Sequence, residues 1–155
     1  MADRKPSRIT GDDRETLLGL LQYQRESFAR KLSGVGPDEA AASPVPSGTS
    51  LLWLANHMAD AEVTWVLSRF AGRPPDPELG GRQGTVAEAL GRYRRVGRAV
   101  DAVVRDADLD DRCPTFDSEG VVNLRWILAH LLQETARHAG HADILRELID
   151  GATGR

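Results

Sequence analysis

Three of the chain's four histidines lie in one stretch, from Trp126 to Ile149. A helix turns by about 100° per residue, so residues spaced by three or four positions share a side. One side of this stretch carries Ile127, His130, Leu131, Glu134, His138, His141, Leu145 and Leu148. This side is apolar at both ends and should face inward, where a carboxylate and three imidazoles are costly to bury without partners. A divalent metal ion is the simplest single partner, because it binds ionised Glu and neutral His.

The spacing of these residues, with one histidine elsewhere, predicts three ligands. Glu134 and His138 are four residues apart, about one helical turn, so both could bind one ion. The fourth histidine, His57, lies in the other strongly apolar helical segment, on a face shared with Trp53 and Ala61. Three protein ligands leave one coordination position open, as in catalytic zinc sites. A single inward histidine is more often a core residue hydrogen-bonded to the backbone, but four polar inward positions together favour a site.

Two histidines on the same stretch are predicted to have supporting roles. His141 follows His138 by three residues, so it could be a ligand or could orient one through a hydrogen bond. His130 precedes Glu134 by four residues and could orient that carboxylate.

Two acidic residues near His57 are weaker candidates. Asp60 could be a fourth ligand, although a structural role is the more typical use. Glu62 lies off the face of His57, and we expect it to pair with an arginine such as Arg125.

Composition restricts the class of protein. A chain of 155 residues suits one domain with one core. The 20 Lys and Arg residues against 23 Asp and Glu residues give a net charge of -3, which argues against nucleic acid or membrane surfaces as partners. The start lacks an apolar signal region, so we expect a cytoplasmic protein. The single cysteine, Cys113, fits a reducing compartment and is interpreted as an incidental thiol.

Hydrophobic periodicity predicts four helices. The first helix begins at a capping box of Thr10 and Asp13 and ends at Gly34, and the second begins at a cap at Thr49 or Ser50 and ends at Gly72. The third begins at a capping box of Thr85 and Glu88 and ends at about Ala107. The fourth begins at a cap at Asn123 and ends at Gly151. The arginines of the third helix, at 92, 94, 95 and 98, are predicted to face solvent mostly.

The connections between these helices are long. Residues 35–50 are rich in Pro, Gly and Ser, with at most a short turn at 38–41, and residues 73–84 form the crossover of the bundle. Residues 108–122 are a loop with at most a short extended piece at 120–122. The sequence therefore predicts an all-α four-helix bundle, with residues 1–9 as a polar arm and residues 10–155 as a single domain.

Three motifs resemble the DinB-like superfamily: LANHM at 54–58, LRWILAH at 124–130 and ETARHAGHAD at 134–143. The closing IDGATG at 149–154 is similar to a branch common in actinobacteria and classed as a domain of unknown function. The resemblance covers residues 10–154. It implies an up-down-down-up four-helix bundle with a long crossover between helices two and three, often a homodimer. Relatives include metal-dependent transferases and isomerases that use the thiols mycothiol or bacillithiol.

The resemblance also implies a ligand set. Many members bind the ion with three histidines, one from helix two and two spaced by four on helix four. In this chain Glu134 stands at the first of those helix-four positions, as in the mycothiol-dependent maleylpyruvate isomerases, whose ligands are His, Glu and His. On that match His57, Glu134 and His138 are the metal ligands. His141 stands where many relatives have Gln, which favours an orienting role.

Together these features predict a metal-dependent S-transferase or isomerase with mycothiol and an electrophile as small-molecule partners. Zinc, or else nickel, would favour the thiolate form of the thiol, and Glu134 and His141 are the predicted catalytic residues. One alternative is a non-catalytic metal-binding or stress-response protein. Another is a structural bundle with a hydrogen-bonded cluster and no ion. Apolar Trp65, Leu67 and Phe70 of the second helix predict a homodimer face.

Overall fold

The computed structural model describes residues 5–8, 10–114 and 120–153. Its helices are α1 (Asp13–Leu32), the short α2 (Pro37–Ala41), α3 (Leu51–Glu62), α4 (Val86–Asp106) and α5 (Leu124–Asp150). The four long helices confirm the predicted all-α four-helix bundle. Two short strands, β1 (Arg112–Pro114) and β2 (Val121–Asn123), pair antiparallel, where the sequence predicted only a short extended piece. No helix within the described ranges is long and apolar enough to cross a membrane.

The long helices begin at side-chain caps, most of which the sequence predicts. Ser50, Thr85 and Asn123 each accept a hydrogen bond from the backbone N–H three residues later, at 3.1, 3.3 and 2.9 Å. In α1 the cap is Asp12, at 2.9 Å, and not Thr10. The predicted capping box at Thr10 is therefore wrong by two residues, because the Asp12 carboxylate accepts from the free N–H groups of the first turn.

Helices α1 and α5 run parallel, as contacts at two points along their length show. Near the start of both helices, Arg125 of α5 forms an ion pair with Asp13 of α1. Near the end of α1, Lys31 forms an ion pair with Asp143 of α5. The first and last long helices of the bundle therefore point the same way.

Helices α3 and α4 also run parallel to each other. The side chain of Asn56 exchanges hydrogen bonds with the backbone of Gln83, just before α4, at 2.7 and 3.0 Å. Further along, Asp60 accepts a hydrogen bond from Arg92 at 2.7 Å. Helix α3 runs antiparallel to α5, because His57 of α3 meets His138 while Trp65, further along, meets Trp126 near the start of α5. The bundle is thus up-down-down-up, with the long connection at residues 71–85. Arg92 is only 4% exposed, so the prediction that it faces solvent is wrong, whereas the other three arginines of that run are exposed.

Helix α3 continues as a π-helix over Val63–Phe70, which the sequence did not predict. A π-helix has a wider turn than an α-helix and changes the direction of the side chains that follow. Trp65 in this segment packs against Trp126 and His130 of α5, with ring centroids 5.6 and 5.0 Å apart. Leu67, predicted for a dimer face, is instead buried in the core at 4% exposed.

A buried ion pair joins three helices in the bundle interior. Arg25 of α1 donates two hydrogen bonds of 2.7 Å to Glu62 of α3 and one of 2.8 Å to Asp101 of α4. Burial raises the pKa of the Glu62 carboxyl, and the Arg25 guanidinium opposes that shift. The predicted partner Arg125 is wrong, because Glu62 points into the interior while Arg125 lies at the surface, paired with Asp13.

Candidate metal centre

The antiparallel helices α3 and α5 bring three of the predicted site residues together. His57 projects from α3, and Glu134 and His138 project from successive turns of α5. One nitrogen or oxygen from each of the three side chains lies within 4.8 Å of the others. The cluster is only partly accessible, with the Glu134 side chain 18% exposed and His138 9% exposed.

Glu134 and His138, the two α5 residues of the cluster, have the spacing of two ligands on one ion. The Nε2 atom of His138 lies 3.4 Å from Oε2 of Glu134. Two atoms that each lie about 2.1 Å from a tetrahedral ion are roughly 3.4 Å apart, so the pair fits such an ion without rearrangement. The other carboxylate oxygen of Glu134 forms an ion pair with Arg137 at 3.1 Å. The sequence gave no role to Arg137, although its spacing of three residues from Glu134 is that of an ion pair on a helix.

His57 is held in place by an aromatic neighbour. The indole of Trp53 stacks on the His57 ring, with centroids 4.7 Å apart and the planes 10° apart. The same indole meets the His138 ring edge-on at 6.3 Å, and the two imidazoles lie 4.8 Å apart. The sequence placed Trp53 on the face of His57 without assigning it a role. The separation of four residues was the available signal, since it places one ring directly over the other.

Both ligand candidates with imidazole rings favour the neutral form. Burial lowers the pKa of His57, against the opposing charges of Glu134 and Asp60. Burial and the neighbouring His57 lower the pKa of His138, again opposed by Glu134. Neutral imidazole is the form that binds a metal ion, so the cluster is prepared for a cation at neutral pH.

His141 lies beside the cluster and contacts it through one atom. Its Nδ1 is 3.2 Å from Nδ1 of His138, on the far side of the ring from the Nε2 that faces Glu134. One of these two Nδ1 atoms must carry the proton, because two bare nitrogens would not form a hydrogen bond. If His138 donates, its Nε2 is left free for a cation, which is the arrangement that an orienting partner of a metal ligand provides.

Two other sequence candidates are used elsewhere. Asp60 accepts hydrogen bonds from Arg82 at 2.9 Å and from Arg92 at 2.7 Å, which is the structural role expected for it. His130 stacks on Trp126, with centroids 5.1 Å apart and planes 8° apart. Among the residues that the structure describes, His130 forms no hydrogen bond to Glu134. Its predicted orienting role is therefore not seen.

Comparison with known proteins places the chain in a family. The family model for mycothiol-S-transferase matches residues 16–151. The chain belongs to this family. The solved structure of YfiT from Bacillus subtilis, described as a probable metal-dependent hydrolase with an unusual four-helix bundle topology, matches with a TM-score of 0.73. The two chains are 13% identical over 98% of this chain and 97% of YfiT, which shows the shared fold. The match to the family model confirms the DinB-like resemblance. No curated protein matches the chain.

This member of the mycothiol-S-transferase family has a cavity beside the site and a larger one away from it. A cavity of about 300 Å³ is lined in part by His141 and so adjoins the histidine cluster. A cavity of about 460 Å³ lies between α1 and α4 and contains none of the predicted site residues.

Cys113 is buried in β1, and burial raises the pKa of its thiol. These properties fit the interpretation of Cys113 as an incidental thiol.

Proposed function

We propose that this protein is a divalent-metal-dependent S-transferase that joins a mycothiol-type thiol to a small electrophile. The observation that carries the proposal is the grouping of His57, Glu134 and His138 within 4.8 Å in a chain of the mycothiol-S-transferase family. The donor set of two imidazoles and one carboxylate suits zinc, with nickel as the second candidate. The fold neighbour YfiT, described as a probable metal-dependent hydrolase, is compatible with a metal at this position.

His57, Glu134 and His138 would hold the ion, and three protein ligands leave a position for the thiol sulfur. A divalent ion bound there supplies a lowered pKa for a coordinated thiol. The carboxylate of Glu134 offsets one unit of the ion's charge. The ion is therefore a weaker Lewis acid than one held by three neutral imidazoles.

The remaining chemistry is proton removal, and His141 is placed for it. Its ring is exposed on one side and contacts His138 on the other. It can therefore orient His138 by accepting from its Nδ1–H. With that hydrogen bond broken, the same Nδ1 can instead take the thiol proton and release it to solvent, because a neutral imidazole has one free nitrogen. The thiolate then forms a sulfur–carbon bond with the electrophile. A leaving group departs with its electron pair, or a double bond accepts the pair when the reaction is an addition that precedes isomerisation.

A non-catalytic metal-binding or stress-response role is the second candidate. It requires the same ligands, and so the ion alone does not separate the two functions. Consumption of a thiol in the presence of an electrophile does, because a protein that only stores or senses a metal would not accelerate that reaction.

The proposal is tested with His57→Ala and, as a matched control, His130→Ala, which removes a half-buried histidine of α5 that is outside the ligand cluster. Protein purified without a metal-affinity column is assayed for metal content and for mycothiol-dependent conjugation. We expect about one zinc or nickel ion per chain in the wild type and in His130→Ala, and loss of both metal and activity in His57→Ala. Full metal content in His57→Ala would refute the ligand set. Full metal content without any conjugation would favour the non-catalytic role.

A further inference from the structure

The cavity beside His141 is mainly apolar and lies between α5 and the loop that precedes α3. Its volume is about 300 Å³, and its lining residues are Val45, Ser47, Thr49, His141, Ile144 and Leu145. A cavity of ~150 Å³ is enough to bind benzene, so this one has room for a substituted aromatic ring. One wall is formed by α5 and the other by the loop at 43–50 that leads into α3.

The loop wall is fixed by its own hydrogen bonds. The Ser43 hydroxyl contacts the backbone oxygens of Val45 and Thr49 at 2.9 and 2.8 Å. The hydroxyls of Ser47 and Thr49 bond to each other at 3.0 Å. The polar groups of this wall are thus already partnered, and a ligand in the cavity would meet mainly aliphatic surface.

No Lys, Arg, Asp or Glu occurs among the lining residues of this cavity that the structure describes. The charged residues nearest in sequence on α5 are directed to other partners. Asp143 pairs with Lys31, and Arg146 binds Asp150 and the backbone oxygens of Lys31 and Ser33. A carboxylate placed in the cavity would lose water without gaining a Lys or Arg partner. A divalent ion held by Glu134 and a thiolate would carry no net positive charge to compensate, so the cavity selects against anions.

One lining residue adds exposed apolar surface to this cavity. Ile144 is 61% exposed, one turn from His141 on α5. When a ligand covers a large aliphatic side chain that was exposed to water, the burial of apolar surface lowers the free energy of the complex. The contact between His141 and His138 connects this surface directly to the candidate metal centre.

We propose that this cavity binds the electrophile and selects for an uncharged, apolar one, such as a benzylic or alkyl halide, over a carboxylate-bearing one. The inference rests on the proposed S-transferase function and names its substrate class. For a benzylic chloride, the thiolate sulfur forms a bond to the benzylic carbon while the carbon–chlorine bond breaks and chloride leaves with its electron pair. The thiol proton passes to solvent.

The test compares two electrophiles of similar shape, the neutral 4-nitrobenzyl chloride and the anionic 4-(chloromethyl)benzoate. Rates with mycothiol and the zinc-loaded protein are divided by the uncatalysed rate for each compound. We expect the wild type to prefer the neutral compound in kcat/KM by about tenfold or more, because the anion loses hydration in the cavity.

Ile144→Lys places a cation in the cavity and should remove or reverse this preference, by about tenfold. The matched control is Leu148→Lys, since Leu148 is 60% exposed on the same helix but does not line the cavity. The control should change the ratio by less than about twofold, because a charge that does not line the cavity is farther from the bound carboxylate and is screened by the solvent between them. Equal use of both electrophiles by the wild type, or equal effects of the two lysines, would overturn the proposal.

A binding measurement keeps this result distinct from failure of the proposed function. Non-reactive 4-nitrobenzyl alcohol and 4-nitrobenzoate are titrated into zinc-loaded protein, and the backbone amide signals of residues 141–145 are followed by NMR. Selective shifts with the alcohol would support the cavity assignment even if no conjugation occurs. Shifts with neither compound, or equal shifts with both, would overturn it whatever the activity.

Discussion

Glu134 is the residue at which the proposed chemistry can be tested most narrowly. Its Oε2 lies 3.4 Å from Nε2 of His138, and its Oε1 pairs with Arg137, which is 53% exposed. Glu134→Gln keeps the shape but removes the charge and offers a poor amide ligand. The lost pair with exposed Arg137 should matter little, because surface ion pairs contribute about 0–1 kcal/mol. A change in metal affinity would therefore report on ligation.

The expected loss of affinity in Glu134→Gln is at least tenfold, the lower end of what loss of even an outer partner of a metal ligand costs. At a free zinc concentration of about a hundred times the wild-type dissociation constant, the ion stabilises the fold by about 2.7 kcal/mol. A tenfold weaker site retains about 1.4 kcal/mol under the same conditions. In a domain of this size the difference corresponds to roughly 3–5 °C in melting temperature.

The assay is thermal unfolding of metal-free and zinc-loaded protein, with metal content measured in parallel. Glu134→His should keep the metal, because imidazole is also a good zinc ligand. It should also lower the pH at which the bound thiol ionises, since the ion then keeps its full charge. The reasoning fails if Glu134→Gln keeps full metal content and Glu134→His loses it. In that case His57, His138 and His141 would be the better ligand set, with Glu134 as an outer-shell acceptor or general base.

Three further predictions follow from burial and charge. Arg25→Met should destabilise the fold by about 3–5 kcal/mol, measured by urea unfolding, because it leaves Glu62 buried and unpaired. Adding Glu62→Leu to this variant should recover much of the lost stability. Additive losses in the double variant would argue against a coupled pair. Burial lowers the pKa values of His57 and His138 in the folded protein. Below a pH of about 6.5, the unfolded metal-free protein therefore binds more protons than the folded metal-free protein. Stability should therefore be full above that pH and fall as pH drops below it, and a flat profile in urea unfolding would contradict the shifts. A homodimer is expected at micromolar concentration, and a monomer mass by light scattering would exclude it.

The parts of the fold that depend on local signals could be predicted from the sequence. Ser50, Thr85 and Asn123 act as caps because a hydroxyl or amide three residues before a free N–H is enough to begin a helix. The juxtaposition of His57 with Glu134 could also be predicted, since each lies on the apolar face of its own helix and apolar faces meet in a bundle.

The parts that depend on tertiary packing could not be predicted. Several arginines of the sequence were possible partners for Glu62, and only the packing of α1 against α3 places Arg25 beside it. The π-helix over Val63–Phe70 carries no composition signal, because its wider turn is stabilised by contacts such as that of Trp65 with α5. The cavity beside His141 depends on the path of the loop at 43–50, which proline and glycine content identifies only as a loop.

The ion pair of Arg25 with Glu62 has a consequence for the alignment of the helices along the bundle axis. The inward face of α1 is rich in leucine, so a shift of one turn, about 5.4 Å, would still bring apolar residues together. Such a shift would separate Arg25 from both Glu62 and Asp101 and leave buried charges without partners. The pair thereby fixes the height of α3 in the bundle. The height of α3 in turn sets which turn of α5 faces His57.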